Sequence, residues 1–313
     1  MSRHFLPDLT MLAPMLYMPA DRQDLAALLE GRHDIGVCSI AVCLEDAVRP
    51  DNRKSATAAL CSTLQTLDAI PRAIFVRPAD SDALDWLLEY IPVEKISGFI
   101  LPKATVQSIH AWIEKCCGLY TILPILETRD VLDHVGRREL AQACAAHPSN
   151  IPGARIGAND LFSLLGGLRR PTLRTIYETP VGHVIDGLLE AFSAVGVQLC
   201  APVCDRIGDL ETLRREVVED IHRNLFAKTA IHPSQVHEIW NAYRPDTAEV
   251  DEARHVLRSD APAVFGLNSN MLEPACHGQW ARRLLHRNSL HQAAKQYQDD
   301  GKMKMGFAIR NSR

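Results

Sequence analysis

A chain of 313 residues with 47% hydrophobic content can bury a full core and stands near the upper size of one domain, so one large domain with a C-terminal appendage is expected. Lys and Arg number 34 against 38 Asp and Glu, a formal net charge of −4, which excludes the broad basic field that holds nucleic acid. No stretch approaches the roughly 20 apolar residues that cross a bilayer, and the opening segment, broken by Pro7, Asp8 and Pro14, is too short for a secretory signal, so a soluble, cytoplasmic protein is expected.

Short apolar runs rich in β-branched residues alternate with longer segments of helical period, the pattern of parallel strands covered by crossover helices. Eight such runs occur, at 11–18, 39–44, 73–77, 98–101, 120–126, 154–157, 197–203 and 226–231. Helices are predicted between them, such as 22–32 with Leu25, Leu28 and Leu29 on one stripe and 210–223 with Leu213, Val217 and Ile221 on another. Eight strand–helix units in about 245 residues match a closed (β/α)₈ TIM barrel of the α/β class. The competing doubly wound sheet would carry a Gly-rich phosphate loop after its first strand, and none is present.

The pattern changes at Arg244-Pro245-Asp246. This sets a TIM-barrel catalytic domain at 1–243 and a C-terminal lid and helical extension at 244–313. Helices are expected at 250–258 and 280–291, with a looser segment at 261–274 between them. The nine cysteines, among them Cys38, Cys43 and Cys200, sit mostly in apolar runs without CxxC spacing and read as reduced core residues. Cys200 and Cys204 flank the seventh run and read as packing residues.

Barrel active sites form at the C-terminal strand ends, and six of the eight runs end in polar groups: Glu45-Asp46, Arg77-Pro78, Pro102-Lys103, Glu127-Thr128, Asn159-Asp160 and His232-Pro233. A hard divalent ion takes one or two carboxylates plus waters and substrate oxygens, and Glu127 with Asp160 supplies that pair, unless either merely caps a helix. The planar fork of Arg77 suits a substrate carboxylate or a developing enolate oxygen, and a salt bridge to Glu45 or Asp46 is compatible with that role. Glu45 and Asp46 are catalytic candidates, either receiving Arg77 and metal-bound water or acting as a base. Lys103 is a candidate for a substrate carboxylate or phosphate, while His232 in its His-Pro step reads as structural. Lys103 and Lys228 are the lysines to test for Schiff-base chemistry.

Seven segments in order carry a resemblance: Leu16-Tyr17-Met18-Pro19-Ala20-Asp21-Arg22, Leu44-Glu45-Asp46-Ala47-Val48-Arg49-Pro50, Val76-Arg77-Pro78, Leu101-Pro102-Lys103, Glu127-Thr128, Gly157-Ala158-Asn159-Asp160-Leu161 and Ala230-Ile231-His232-Pro233-Ser234-Gln235. Over about residues 11–243 the chain resembles the citrate lyase β-subunit-like (HpcH/HpaI aldolase) family. Within it the chain is most similar to the C–C bond lyases of the TIM-barrel fold found near tellurium-resistance-type gene clusters.

The resemblance implies Mg²⁺-dependent (or Mn²⁺-dependent) carbon–carbon bond cleavage or condensation through a metal-stabilised enolate of a small carboxylate, oxo acid or acyl thioester. Acyl hydrolysis on the same barrel and a non-catalytic barrel subunit are the alternatives. It implies Glu127 and Asp160 as metal ligands, Arg77 at the enolate or acyl oxygen, and Tyr17, Arg22 and Lys103 among the substrate-binding candidates. Met271-Leu272-Glu273-Pro274 resembles the family's lid motif, with Glu273 as the acidic catalytic residue completing a neighbouring subunit's site. A homo-oligomer, trimer or hexamer, is implied, with a small-molecule substrate and neither nucleic acid nor membrane as partner. Ala13-Pro14 replaces the Arg-Ser pair used near coenzyme A phosphates, Ala20 replaces a Gly, and Ala227-Lys228 replaces a Gly-Lys step. These departures bear on whether a coenzyme A thioester is used.

Overall fold

The computed structural model of the chain describes residues 9, 13–32, 35–37, 39–68 and 70–299. Eight strands form one parallel sheet: β1 (Met15–Pro19), β2 (Ser39–Cys43), β3 (Ala73–Arg77), β4 (Gly98–Leu101), β5 (Thr121–Leu126), β6 (Gly153–Ile156), β7 (Gln198–Cys200) and β8 (Thr229–Ala230). Their spatial order is β7-β6-β5-β4-β3-β2-β1-β8, each strand beside its sequence neighbour and β8 beside β1. A parallel bridge between Cys200 and Phe226, with Ala201 N–H donating to the Phe226 carbonyl at 3.0 Å, joins the segment before β8 to β7. The sheet is therefore a closed barrel.

The strands are short and buried on both faces, as in β2, where all five residues are buried, and in the Ile74, Phe75, Val76, Phe99 and Ile100 core of β3 and β4. Helices cover them: α1 (Leu25–Leu29), α2 (Arg53–Thr66), α3 (Ser81–Tyr90), α4 (Val106–Lys115), α5 (His134–Ala145), α6 (Ala158–Leu164), α7 (Pro180–Ala194), α8 (Leu210–His222) and α9 (Pro233–Ala242). Several carry the side-chain caps expected of a strand-to-helix turn: Asp80 accepts from Ala83 N–H, Asp133 from Val135 and Gly136, and Asp209 from Thr212.

The predicted runs at 73–77 and 98–101 coincide with strands, and the others shift or shorten at their ends. The runs at 197–203 and 226–231 shorten by four residues each; in the second, Ala227 lies in the left-handed region at φ 60° and breaks the extended backbone, leaving a two-residue β8. Residues 11 and 12 of the first run, Cys38, and the basic stretch from residue 300 lie outside the described residues. Six of the eight described cysteines are buried, Cys200 and Cys204 among them, and none is paired in a disulfide.

The chain divides into two compact units, the first running to Ala242 and the second starting at Tyr243. The second holds α10 (Thr247–Val256), an antiparallel hairpin of β9 (Phe265–Leu267) and β10 (Asn270–Leu272), and α11 (Pro274–Asp299). Its core is Val250, Ala253, Val256, Leu272, Ala281 and Leu284. The segment expected to be loose is thus partly a hairpin, turned by Asn268 and Ser269 at φ 49° and 66°, the pair of positive values that a two-residue hairpin turn requires. The last helix is longer at both ends than the predicted 280–291. Among the described residues no helix is long and apolar enough to cross a membrane.

Candidate active site

The C-terminal ends of the barrel strands open on a cavity of about 390 Å³, within the range of small-ligand sites. Tyr17 from β1, Cys43 from β2, Arg77 from β3, Ile125 from β5 and Arg155 from β6 reach it from within the barrel, and Asp46, Glu127 and Asp160 reach it from the turns that follow the strands.

Glu127 is buried immediately after β5. Its Oε1 accepts the backbone N–H of Lys103 at 2.9 Å and lies 3.5 Å from Arg77 Nη2. Lys103 reaches that hydrogen bond from a left-handed backbone at φ 46°. The other oxygen packs against Gly157, where an added Cβ would stand 2.1 Å from Oε2 and 2.4 Å from the Glu127 Cβ. The glycine before α6 is therefore the space in which the carboxylate sits. Burial pushes the Glu127 carboxyl up to about 7; Arg77 and the Lys103 N–H oppose this, and the nearby charges of Asp160 and Glu45 add to it.

Arg77 bonds Glu45 and lies 3.2 Å from Asp46. Burial works against its charge, while Tyr17, Glu127, Cys43 and Glu45 around it reverse that and move its pKa upward. Its Nε is buried with no hydrogen-bond partner among the described residues. Glu45 is buried, holds Arg77 with one oxygen and Lys103 Nζ at 2.8 Å with the other, and does not line the cavity. Its hydrogen bond raises the Lys103 pKa. Asp46 is exposed and lines the cavity. The salt bridge and the site position expected of Arg77 are compatible.

Asp160 sits in the first turn of α6, which has no side-chain cap, so its carboxylate is not spent on the helix end. It makes no hydrogen bond or ion pair among the described residues and faces the same cavity as Glu127. Among the described residues no three His, Cys, Asp or Glu groups converge for a metal. Two carboxylates, one uncompensated and the other held near neutral pKa partly by its neighbour's charge, nevertheless fit a hard divalent ion that keeps its remaining positions for water and substrate.

Of the other candidates, the side chains in the barrel unit are absent from the cavity lining. Arg22 is bound to Asp24 at 2.7 and 2.8 Å and does not line the cavity. Lys103 meets the site through its backbone and Glu45. Lys228 is fully buried, bonded to Asp220 at 2.9 Å and the Pro202 carbonyl at 2.9 Å, away from the cavity lining. His232 is exposed and bonds Ser234 Oγ at 2.8 Å, a local turn. Glu273 stands between β10 and α11 in the second unit, its carbonyl accepting from Cys276 and His277 N–H and its carboxylate from Cys276 Sγ at 3.1 Å.

Arg155 was not singled out from the sequence. Its signal was an arginine in the middle of a short apolar run read as a buried strand, two positions before the strand-end glycine.

Residues 8–292 match the family model described as the C–C bond lyase of the TIM-barrel fold. The chain belongs to this family. This C–C bond lyase homologue is 31% identical to the (3S)-malyl-CoA thioesterase of Cereibacter sphaeroides over 78% of this chain and 81% of that protein. It is 30% identical to the citrate lyase subunit beta-like protein of Mycobacterium tuberculosis over 82% of this chain and 89% of that one. Among solved structures it superposes on the CitE protein of M. tuberculosis in complex with magnesium, acetoacetate and coenzyme A, with a TM-score of 0.67, 26% identity, and coverage of 88% of this chain and 97% of that one. The match to the M. tuberculosis citrate lyase beta subunit complexed with oxaloacetate and magnesium has a TM-score of 0.58 at 25% identity, covering 76% and 100%.

Proposed function

We propose that this C–C bond lyase homologue cleaves or forms a carbon–carbon bond beside a carboxylate, oxo or acyl-thioester carbon, with one Mg²⁺ (or Mn²⁺) held by Glu127 and Asp160. The observation that carries the reading is that pair of cavity-facing carboxylates beside a buried Arg77. The magnesium complexes of the M. tuberculosis relatives support the choice of ion. When bound, such an ion polarises a carbonyl or carboxylate oxygen and fixes the substrate's orientation.

In the cleavage direction a base takes the proton of the substrate hydroxyl, the hydroxyl carbon leaves as a carbonyl, and the electron pair of the broken bond remains as an enolate. Arg77, held by Glu45 through Nη2, would neutralise the charge that grows on the enolate oxygen. Glu45 is a positioning residue that also tethers Lys103. Asp46 lines the cavity and is the base available in the barrel; Glu273 is proposed for the same task in a neighbouring subunit of a homo-oligomer. On this reading residues 1–243 are the catalytic domain and 244–313 the lid and helical extension, and the unpaired cysteines suit a cytoplasmic protein.

The 31% identity to a malyl-CoA thioesterase supports a second reading, in which water attacks a thioester carbonyl and Arg77 stabilises the resulting oxyanion. Mass spectrometry of products from malyl and citramalyl thioesters and their free acids separates the two. A carbonyl fragment plus an acyl fragment marks the lyase; free acid plus thiol marks the hydrolase. Arg77→Met and Glu127→Gln are expected to lower kcat/KM by about 10²–10³, or about 2.7–4 kcal/mol. Turnover indifferent to both variants and to chelation of Mg²⁺ would remove the proposal.

A further inference from the structure

Arg155 is the second arginine in the cavity, and its surroundings differ from those of Arg77. It is 5% exposed, projecting from β6 across the barrel interior. Its Nη2 donates to Thr229 Oγ1 on β8, its Nη1 lies 3.5 Å from Met15 Sδ on β1, and its guanidinium carbon sits 5.4 Å from the centre of the Tyr17 ring. All of these partners are neutral. Among the described residues no carboxylate is within ion-pair distance of Arg155, although Glu127 and Asp160 line the same cavity.

A buried guanidinium with no counter-ion is costly, because burial strips away water and only neutral groups replace it. Such a group is tolerated where an anion arrives with the ligand. The strand geometry places that anion deeper than the proposed ion: Arg155 lies within β6, two residues before Gly157, whereas Glu127 packs on Gly157 and Asp160 follows it. Thr229, on the two-residue β8, fixes the guanidinium from the side, and Tyr17 supports one face of its plane.

We infer that Arg155 recognises a second anionic group of the substrate at the barrel floor, so that the site selects small acids carrying two anionic groups over those carrying one. The inference rests on the metal-dependent reading above and adds to it the residue that sets substrate class. Arg155 is then a specificity residue, the reacting carbon lying between it and the Glu127–Asp160 end.

Calorimetric titration of the intact protein in saturating Mg²⁺ tests this with matched probes: lactate against malate, acetate against malonate, and 2-oxobutyrate against 2-oxoglutarate. At least one dicarboxylate is expected to bind tenfold or more tightly than its partner. Arg155→Gln is expected to bring that ratio within about threefold, the loss of affinity falling mainly on the dicarboxylate. Wild-type ratios near one for all three pairs, or a ratio that survives in Arg155→Gln, overturn the inference and leave the metal site standing. Absence of Mg²⁺-dependent binding of every acid, in wild type and Glu127→Gln alike, overturns the parent reading and this one with it. Should Arg155→Gln not fold, Arg155→Lys, which keeps charge but loses the planar fork, must reduce the preference, and a preference that it leaves intact overturns the inference.

Discussion

Lys228 and Arg155 are both buried cations of the barrel unit, and their surroundings differ completely. Lys228 Nζ has Asp220 at 2.9 Å, Glu216 at 3.5 Å and the Pro202 carbonyl at 2.9 Å. Glu216 also binds Arg170 and the N–H of Ile176 at 2.8 Å, and Asp220 binds the hydroxyl of Tyr177. Every charge in this cluster, between β8, α8 and the segment before α7, is answered by protein. The cavity side is lopsided: among the described residues Arg155 has no carboxylate within ion-pair distance and Asp160 has no partner, and Glu127 is pushed up to about 7. On the proposed reading the sealed cluster builds structure, while the unanswered charges of Arg155 and Asp160 leave room for a ligand.

The strongest way to break this comparison is at its sealed side. Lys228→Met leaves Asp220 and Glu216 buried with one cation fewer, and unfolding in denaturant is expected to show a loss of about 3–5 kcal/mol. A loss below 1 kcal/mol would show that the cluster is not a structural element. Burial already pushes the Asp220 carboxyl up, with Lys228 as the leading opposing influence, so in the variant that carboxyl is expected to take up a proton.

The cavity side responds in the opposite direction. The folded Glu127 carboxyl, at about 7, holds a proton that the unfolded chain, near 4.5, has released, so metal-free wild type loses stability as pH rises from about 4.5 to 7. Glu127→Gln lacks this loss. Between pH 5 and pH 8 the variant is therefore expected to gain roughly 1–3 kcal/mol on wild type, read from denaturant midpoints, with Mg²⁺ closing the gap by binding wild type alone. A constant difference across that range would place the ionisation elsewhere. The smallest effect sharpens the same point: on the proposed reading Mg²⁺ displaces the Glu127 proton, so its affinity should fall about tenfold per pH unit below 7, about 1.4 kcal/mol each, and level off above. Calorimetry at fixed ionic strength measures that slope.

The barrel was legible because the strands are compact apolar runs, six of the eight ending in polar groups, and Arg77, Asp46, Glu127 and Asp160 do gather at one cavity. The departures have physical reasons. Glu45 follows an apolar run as Asp46 does, but neighbours at a strand end face opposite ways, and Glu45 turns into the ion pairs behind Arg77. Arg22 follows the first run at a similar offset, yet Asp24 two residues on engages it locally. Lys228 lies beside a strand end but inside the wall, which no spacing rule reveals without the carboxylates of α8. Arg155 was hidden by its apolar neighbours Ala154 and Ile156. The Asn268-Ser269 turn lacks the glycine that usually advertises a hairpin.

The lone bridge that joins β7 to the segment before β8 bears on how the cylinder is completed. β1 finds its second neighbour only when Thr229, about two hundred residues downstream, has been made, so one flank of the first strand stays unpaired through most of synthesis. The final staves carry few ladder bonds of their own. Asp220 and Glu216 precede Lys228 by only 8 and 12 residues, so the last stave emerges with its anchor already beside it.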